Sequence, residues 1–551
     1  MKKSTRILLL AAFLGTTGLS AQNPALDRMR QHIRVLSADS LEGREAGTEA
    51  ERKAARYLEA QMRANGLQPG FGDAYQQPFE FFNRRDVKDD SYLEIDGKTY
   101  AVNTDFLALA ESMSADFGAE LVSVGFGIDG NGRNDYKGKN FENKLVVVER
   151  GSPTPDNPHS GFEDYSTISA KLEAAKRHGA LGVVFVDPAG QALEPLQPNY
   201  SRKTGNQDLI AVYFPGMKAS QLDGKKAVGY VHIEDDYRTG HNVLGYLDNK
   251  ADYTVVIGAH FDHLGYGDEG SLHRGERAIH NGADDNASGT ALMLELGKSL
   301  QAPQFSKYNY LFIGFSGEEK GLLGSNFYTK NPSLALDKVA CMINFDMVGR
   351  LNPENNTCGI NGVGTSPAWN EALGKVTVPD FKIKTSESGV GPSDQTSFYL
   401  KNIPAIHYFS GTHGDYHKPS DDEHLINYDG VDKIYRHVSA LIAELASQGT
   451  KLAFTTTKQD ENGDVPRWKV TLGVVPDYMF DGTGMRIDGV TEGKPASKAG
   501  LQTGDVVVEM GGMAVTDMMS YMRALSKFEK GQTVKVVVLR GGKKKSKKVS
   551  F

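Results

Sequence analysis

Five short segments of the sequence carry side chains able to hold a metal ion. They are His260 in Gly258-Ala259-His260-Phe261-Asp262-His263, Asp285 in Gly282-Ala283-Asp284-Asp285-Asn286-Ala287-Ser288-Gly289, the pair Glu318-Glu319, Asp346 in Asn344-Phe345-Asp346-Met347, and His417 in Asp415-Tyr416-His417-Lys418. Imidazoles mixed with carboxylates suit a borderline ion such as zinc, whereas calcium and magnesium prefer all-oxygen shells. The set exceeds what one tetrahedral ion takes up, so it points to a hydrolytic centre with two metals.

The local patterns divide the work among these residues. On an extended chain, residues two apart share a side, so Asp262 can fix the tautomer of His260 while His263 points away and reads as structural. Small residues Ala287, Ser288 and Gly289 allow close backbone approach after Asp285, which suits a bridging carboxylate there. Asp284 beside it suits a helix N-cap. Glu318 and Glu319 follow an apolar strand and diverge, so that one ligates while the other takes a proton from the attacking water. Two solvated acids at a helix start are the plainer alternative. Asp346 closes an apolar run, where an acid calls for a positive partner. His417 lies in a loop, 411–422, rich in candidate ligands.

The elements that must position these residues alternate. Apolar strand patterns at 253–259, 309–315, 339–345 and 403–408 are interleaved with helical ones at 287–300, 320–330, 367–373 and 428–446. That predicts an α/β fold: a mixed, largely parallel sheet flanked by helices. Ligands in such sheets bind beyond the carboxyl ends of strands, where all five segments fall. An amphipathic helix is expected at 49–65, closed by Gly66-Leu67-Gln68-Pro69-Gly70.

Composition sets the frame. A chain of 551 residues predicts about three to four units of about 150 residues each. Hydrophobic content of 39% and charged content of 24% describe ordinary globular material, and a net charge of −7 argues against nucleic acid as the main partner. Lys2, Lys3 and Arg6 before the apolar run 7–14, then small residues up to Ala21, read as a signal peptide at 1–21. The mature protein is therefore expected outside the cytoplasm, with no later run long enough to span a membrane. Cys341 and Cys358 are the only cysteines, and either a disulfide or two buried thiols fits them.

With these residues in place, the sequence resembles the co-catalytic di-zinc aminopeptidases, the metallopeptidase family of aminopeptidase S and aminopeptidase Y. The resemblance includes Gly43-Arg44-Glu45-Ala46-Gly47-Thr48. It implies two Zn²⁺ per chain, Co²⁺ and Mn²⁺ being compatible with the same ligands. Asp285 is the implied bridge, with His260 and Asp346 completing one site and Glu319 and His417 the other. Glu318 is the implied general base, Asp262 orients His260, and Tyr416 stabilises the oxyanion. A cis peptide after Asp285 is also implied. Ser393-Asp394-Gln395 departs from members with His in the last position, which leaves Asp394 without an assigned role.

Residues 113–238 resemble a protease-associated (PA) module, on the pattern of helix, Gly179-Ala180 and apolar strand, together with Gly125-Phe126-Gly127. Residues 468–551 resemble a PDZ domain, carried by Pro495-Ala496, Ala499-Gly500-Leu501 and Gly504-Asp505. The expected division is a catalytic domain from 22–112 and 239–450, a β-rich PA-like insert, a linker at 451–467, and the PDZ domain. The expected substrates are peptides with a free N-terminus, and a peptide or protein C-terminus is the expected PDZ partner, cradled by 481–484. The lysine-rich tail 543–548 reads as a solvated strand. Two alternatives share the motifs: a single-zinc glutaminyl cyclase, and a degenerate peptidase fold that only binds. The intact ligand set and the Glu-Glu pair disfavour both.

Overall fold

Four apolar runs lie side by side and are buried at every position: Asn309–Phe315, Thr254–His260, Val339–Phe345 and Ala405–Phe409. Strands with no solvent face belong in the middle of a sheet covered on both sides. In the computed structural model they form the parallel centre of a nine-stranded sheet. The structure describes residues 23–154, 161–162, 165–188, 208–273, 275–457, 470–476, 483–490, 493–516 and 518–551, with single positions 193, 196, 198 and 200. The signal-peptide reading at 1–21 therefore lies outside the described residues. So do Asp481 and Gly482 of the expected carboxylate cradle, and most of the linker beyond residue 457.

The sheet is mixed. Ile233–Leu247 and Thr357–Asn361 flank the parallel centre as antiparallel neighbours, and Lys382–Ser386 pairs in parallel outside the latter. Period-two alternation sorts the central strand: Val255, Ile257 and Ala259 face one core, and Val256 faces the other. Helices Pro24–Leu36, Glu49–Ala64, Gly289–Ser299 and Tyr428–Gln448 cover the first face through residues such as Ile33, Leu58, Leu296 and Leu441. Leu323–Lys330 and Gln395–Tyr399 cover the second through Tyr328 and Phe398. Side-chain caps start several of these helices, Thr48 accepting from the Glu51 N–H at 3.2 Å and Asn427 from Gly430 at 3.1 Å.

Two helices begin later than their patterns predict, and both delays serve the site. The chain stays non-helical at Asp285 and Asn286 before Gly289–Ser299 starts. Residues 317–322 form a turn, with φ of 60° at Leu322, before Leu323–Lys330. Cys341 and Cys358 are both buried and free, so the disulfide reading does not hold.

A long antiparallel ribbon, Gln76–Val87 against Ile233–Leu247, leaves the sheet and carries an inserted unit. That unit is an eight-stranded sheet with its own apolar layers on both faces, one of them under helix Ile168–Arg177. Its strands include Tyr92–Ile95, Lys98–Ala101 and Leu107–Ala108, so the sheet starts before the expected boundary at 113. The C-terminal unit is a six-stranded sheet around Leu472, Ile487, Val507 and Val538. Arg540 grips the fully buried Asp505 carboxylate with two parallel hydrogen bonds, at 2.6 and 2.7 Å. Lys543–Ser550 pairs along its whole length with Thr533–Arg540, and its lysines point to solvent at a sheet edge. Among the described residues no helix is long and apolar enough to cross a membrane.

Candidate metal centre

The carboxyl ends of three parallel strands meet the turn 282–288 and the loop 411–421, and six side chains converge there. Asp285 lies between two imidazoles. Its Oδ1 is 3.3 Å from His260 Nε2 and its Oδ2 is 3.2 Å from His417 Nε2. Asp346 Oδ1 reaches the same His260 nitrogen at 3.2 Å, and Glu319 Oε2 reaches the same His417 nitrogen at 3.1 Å. Four ligands held tetrahedrally at about 2.0–2.1 Å from zinc stand about 3.3–3.4 Å from one another. The spacing on both sides of Asp285 matches that edge length. His260, Asp285 and Asp346 thus form one group able to hold an ion, and His263, Asp285 and Glu319 form a second, with His417 Nε2 against the same two carboxylates.

The electrostatics also call for cations. Burial alone would strip the proton from His260, yet Asp346, Glu318, Asp262 and Asp285 outweigh it and hold the imidazole well above its ordinary value. His417 behaves alike under Glu319 and Asp285. Asp285 is pulled well below its ordinary value by the two histidines despite its burial. Two imidazoles among carboxylates are a donor set that fits zinc-type ions. Side-chain exposure rises from 1% at His260 to 13% at Asp346 and 14% at His417, so the pocket opens toward the latter two.

Backbone contacts orient His417 and Asp285. His417 sits at φ 54°, its Nδ1 3.1 Å from the Gly270 carbonyl, which leaves Nε2 free to ligate. The Asp285 turn hangs on Asp421, whose Oδ2 accepts the N–H groups of Asp284 and Asp285, each at 3.0 Å. Gly282 enters that turn at φ 56°, where a Cβ would fall 2.1 Å from the Asp285 carbonyl oxygen. The Asp285–Asn286 peptide is cis. Asp284 does not cap a helix: its Oδ1 accepts from the Gly349 N–H at 2.6 Å and its Oδ2 faces His413 Nε2 at 3.2 Å.

Three expected supporting residues lie around this pair of groups. Asp262 is fully buried behind His260, but the nearer contact to His260 Nδ1 is its backbone carbonyl at 3.2 Å, with its carboxylate at 3.7 Å. That carboxylate instead accepts the Glu318 N–H at 3.2 Å and so pins the Glu318-Glu319 turn. Glu318 interacts electrostatically with His260, Asp346, Glu319 and Asp394. Burial first, and then Asp346, Glu319 and Asp394, push its carboxyl well above the ordinary range against the pull of His260. Tyr416 stacks on the His417 ring with centroids 3.9 Å apart. Asp394 is buried nearby, its carboxyl pushed up to about 7 by burial and then by Asp262 and Asp346, against His260 and Ser325.

One neighbour was not expected. His263 is buried with Nδ1 2.8 Å from Glu319 Oε1 and 3.9 Å from Asp285 Oδ2, so it holds the free oxygen of Glu319. Strand alternation put it on the far side, but the strand ends at His260 and the rule ends with it.

An α/β sheet with histidine–carboxylate groups around one shared aspartate is an arrangement that could hold metal ions for hydrolysis. Residues 242–442 match the peptidase family M28 and residues 454–551 match a PDZ domain. Residues 242–442 thus carry the peptidase M28 pattern, the chain is an enzyme of the aminopeptidase kind, and a PDZ domain follows that unit. Among curated relatives, aminopeptidase YwaD of Bacillus subtilis is 25% identical over 434 residues, which are 75% of this chain and 84% of that protein. Leucine aminopeptidase 2 of Trichophyton rubrum is 27% identical over 390 residues, covering 62% of this chain and 70% of its own. The solved zinc aminopeptidase BSAP from Bacillus subtilis is 22% identical, with a TM-score of 0.45 over 78% of this chain and 98% of that one.

Proposed function

We propose that this enzyme is an exported, zinc-dependent aminopeptidase that removes N-terminal residues from peptides at a two-metal centre. The observation that carries the reading is Asp285, with one carboxylate oxygen directed at each of two histidines, 3.3 and 3.2 Å away. The peptidase M28 match over residues 242–442 and relatives named as aminopeptidases support it. His260, Asp346 and Asp285 would hold one ion, and Glu319, His417 and Asp285 the other. When bound, such ions polarise the scissile carbonyl and lower the pKa of the attacking water toward neutrality.

The remaining steps belong to side chains. Glu318 takes the proton of the water as its oxygen adds to the carbonyl carbon, then returns that proton to the amine as the C–N bond breaks. Tyr416 donates its hydroxyl to the developing oxyanion. Asp262 holds the Glu318 turn through the hydrogen bond to its N–H, and so fixes the base relative to His260. The PDZ unit is read as a site for a peptide C-terminus added as a strand, and the inserted PA-like unit as a limit on access to the pocket. Export rests on the basic and apolar N-terminus.

A panel of aminoacyl substrates, free and N-acetylated, tests the reaction. Free N-termini are expected to be cut, with chelation abolishing turnover and Zn²⁺ or Co²⁺ restoring it. Equal cleavage of blocked substrates would end the exopeptidase reading, and pyroglutamate from N-terminal Gln peptides would replace it with cyclisation.

A further inference from the structure

The motif Gly43-Arg44-Glu45 supplies no ligand and no base, yet Arg44 is fully buried within reach of the centre. Its guanidinium is spent on backbone carbonyls. Nε donates to Phe261 at 2.7 Å, Nη1 to Asn281 at 2.7 Å and to Leu36, and Nη2 to Gly282 at 3.0 Å. Phe261 lies between His260 and Asp262, and Gly282 opens the turn that ends in Asp285. One planar fork therefore joins the two turns that bring His260 and Asp285 together.

The backbone of the same segment repeats the join. The His263 N–H donates to the Arg44 carbonyl at 3.3 Å and the Gly265 N–H to the Gly43 carbonyl at 3.0 Å. Gly43 is at φ 69°, and a Cβ there would stand 2.5 Å from the carbonyl oxygens of both Gly265 and His280. The segment is wedged between the loops that follow His260 and precede Asp285. The charge of Arg44 faces Asp262, Asp285, Asp421 and Glu319, the acids that crowd the centre.

We propose that Arg44 is a positioning residue of the metal centre, its fork setting the separation of the His260 and Asp285 turns so that both ligands are in register before an ion arrives. The inference rests on the metal-centre reading above. Lysine keeps the charge but has no planar fork to span carbonyls from separate turns. Free guanidinium offers the fork without the tether.

The test uses the full chain stripped of metal and titrated with Co²⁺ against a chromophoric chelator, with circular dichroism on each sample. Wild type, Arg44→Lys and Arg44→Ala are compared. The wild type is expected to bind with a visible d–d band; no binding would sink the metal reading and this inference with it. Both variants are expected to keep the far-ultraviolet spectrum and to bind about 10–100-fold more weakly, the loss typical of outer groups that orient ligands. Millimolar guanidinium is expected to return Arg44→Ala toward wild-type affinity. Unchanged affinity and band in Arg44→Lys, with a normal wild type, would overturn the proposal alone. So would variants that lose the fold outright, or guanidinium that restores fold but not affinity, since Arg44 would then serve the fold rather than the centre.

Discussion

Glu318→Gln is expected to keep its bound metal and to lose turnover by about 10²–10⁴-fold, the range removed with a general base. The side chain keeps its shape, and the direct contacts among His260, Asp285, Asp346, Glu319 and His417 do not pass through it. Its backbone N–H still donates to Asp262, so the turn that presents Glu319 stays anchored. What disappears is the only proton acceptor assigned to the attacking water. Metal analysis beside kcat separates the two effects: normal metal with low kcat supports the base, and near-normal kcat removes Glu318 from that role.

Asp285→Asn is expected to act on both ligand groups at once. The amide is neutral and offers one oxygen, so it cannot face His260 and His417 with an anionic oxygen each. The electrostatic stabilisation that two ions supply is worth several kcal/mol, so turnover should fall on the order of 10³-fold or more. The comparison that discriminates is Asp346→Asn, which touches the His260 side alone. Asp285→Asn should lower the metal content of both positions and Asp346→Asn chiefly of one. Equal losses in the two variants would remove the special place of Asp285.

The central strands were legible because burial on both faces leaves an unbroken apolar run, as in Val255-Val256-Ile257. His260 and Asp346 were legible as candidates for a related reason: one ends such a run and the other directly follows one. Contacts that depend on distant backbone were not legible. Arg44 meets the carbonyls of Leu36, Phe261, Asn281 and Gly282, and no residue type advertises a carbonyl. His263 was misjudged because alternation was carried past the last strand residue. The pairing of Tyr92–Ile95 with Lys226–Val231 was not legible either, because the two strands lie more than a hundred residues apart. Asp262 was expected to hold His260 by its carboxylate; that group lies 3.7 Å from His260 Nδ1 and also accepts the Glu318 N–H, a contact no residue type advertises.

Anomalous difference density at the zinc edge, from crystals of the metal-loaded chain, tests the central claim most directly. Two peaks are expected, one on each side of the Asp285 carboxylate, with His260 and Asp346 around the first and Glu319 and His417 around the second. A single peak, or two peaks that do not share Asp285, would contradict the two-metal centre.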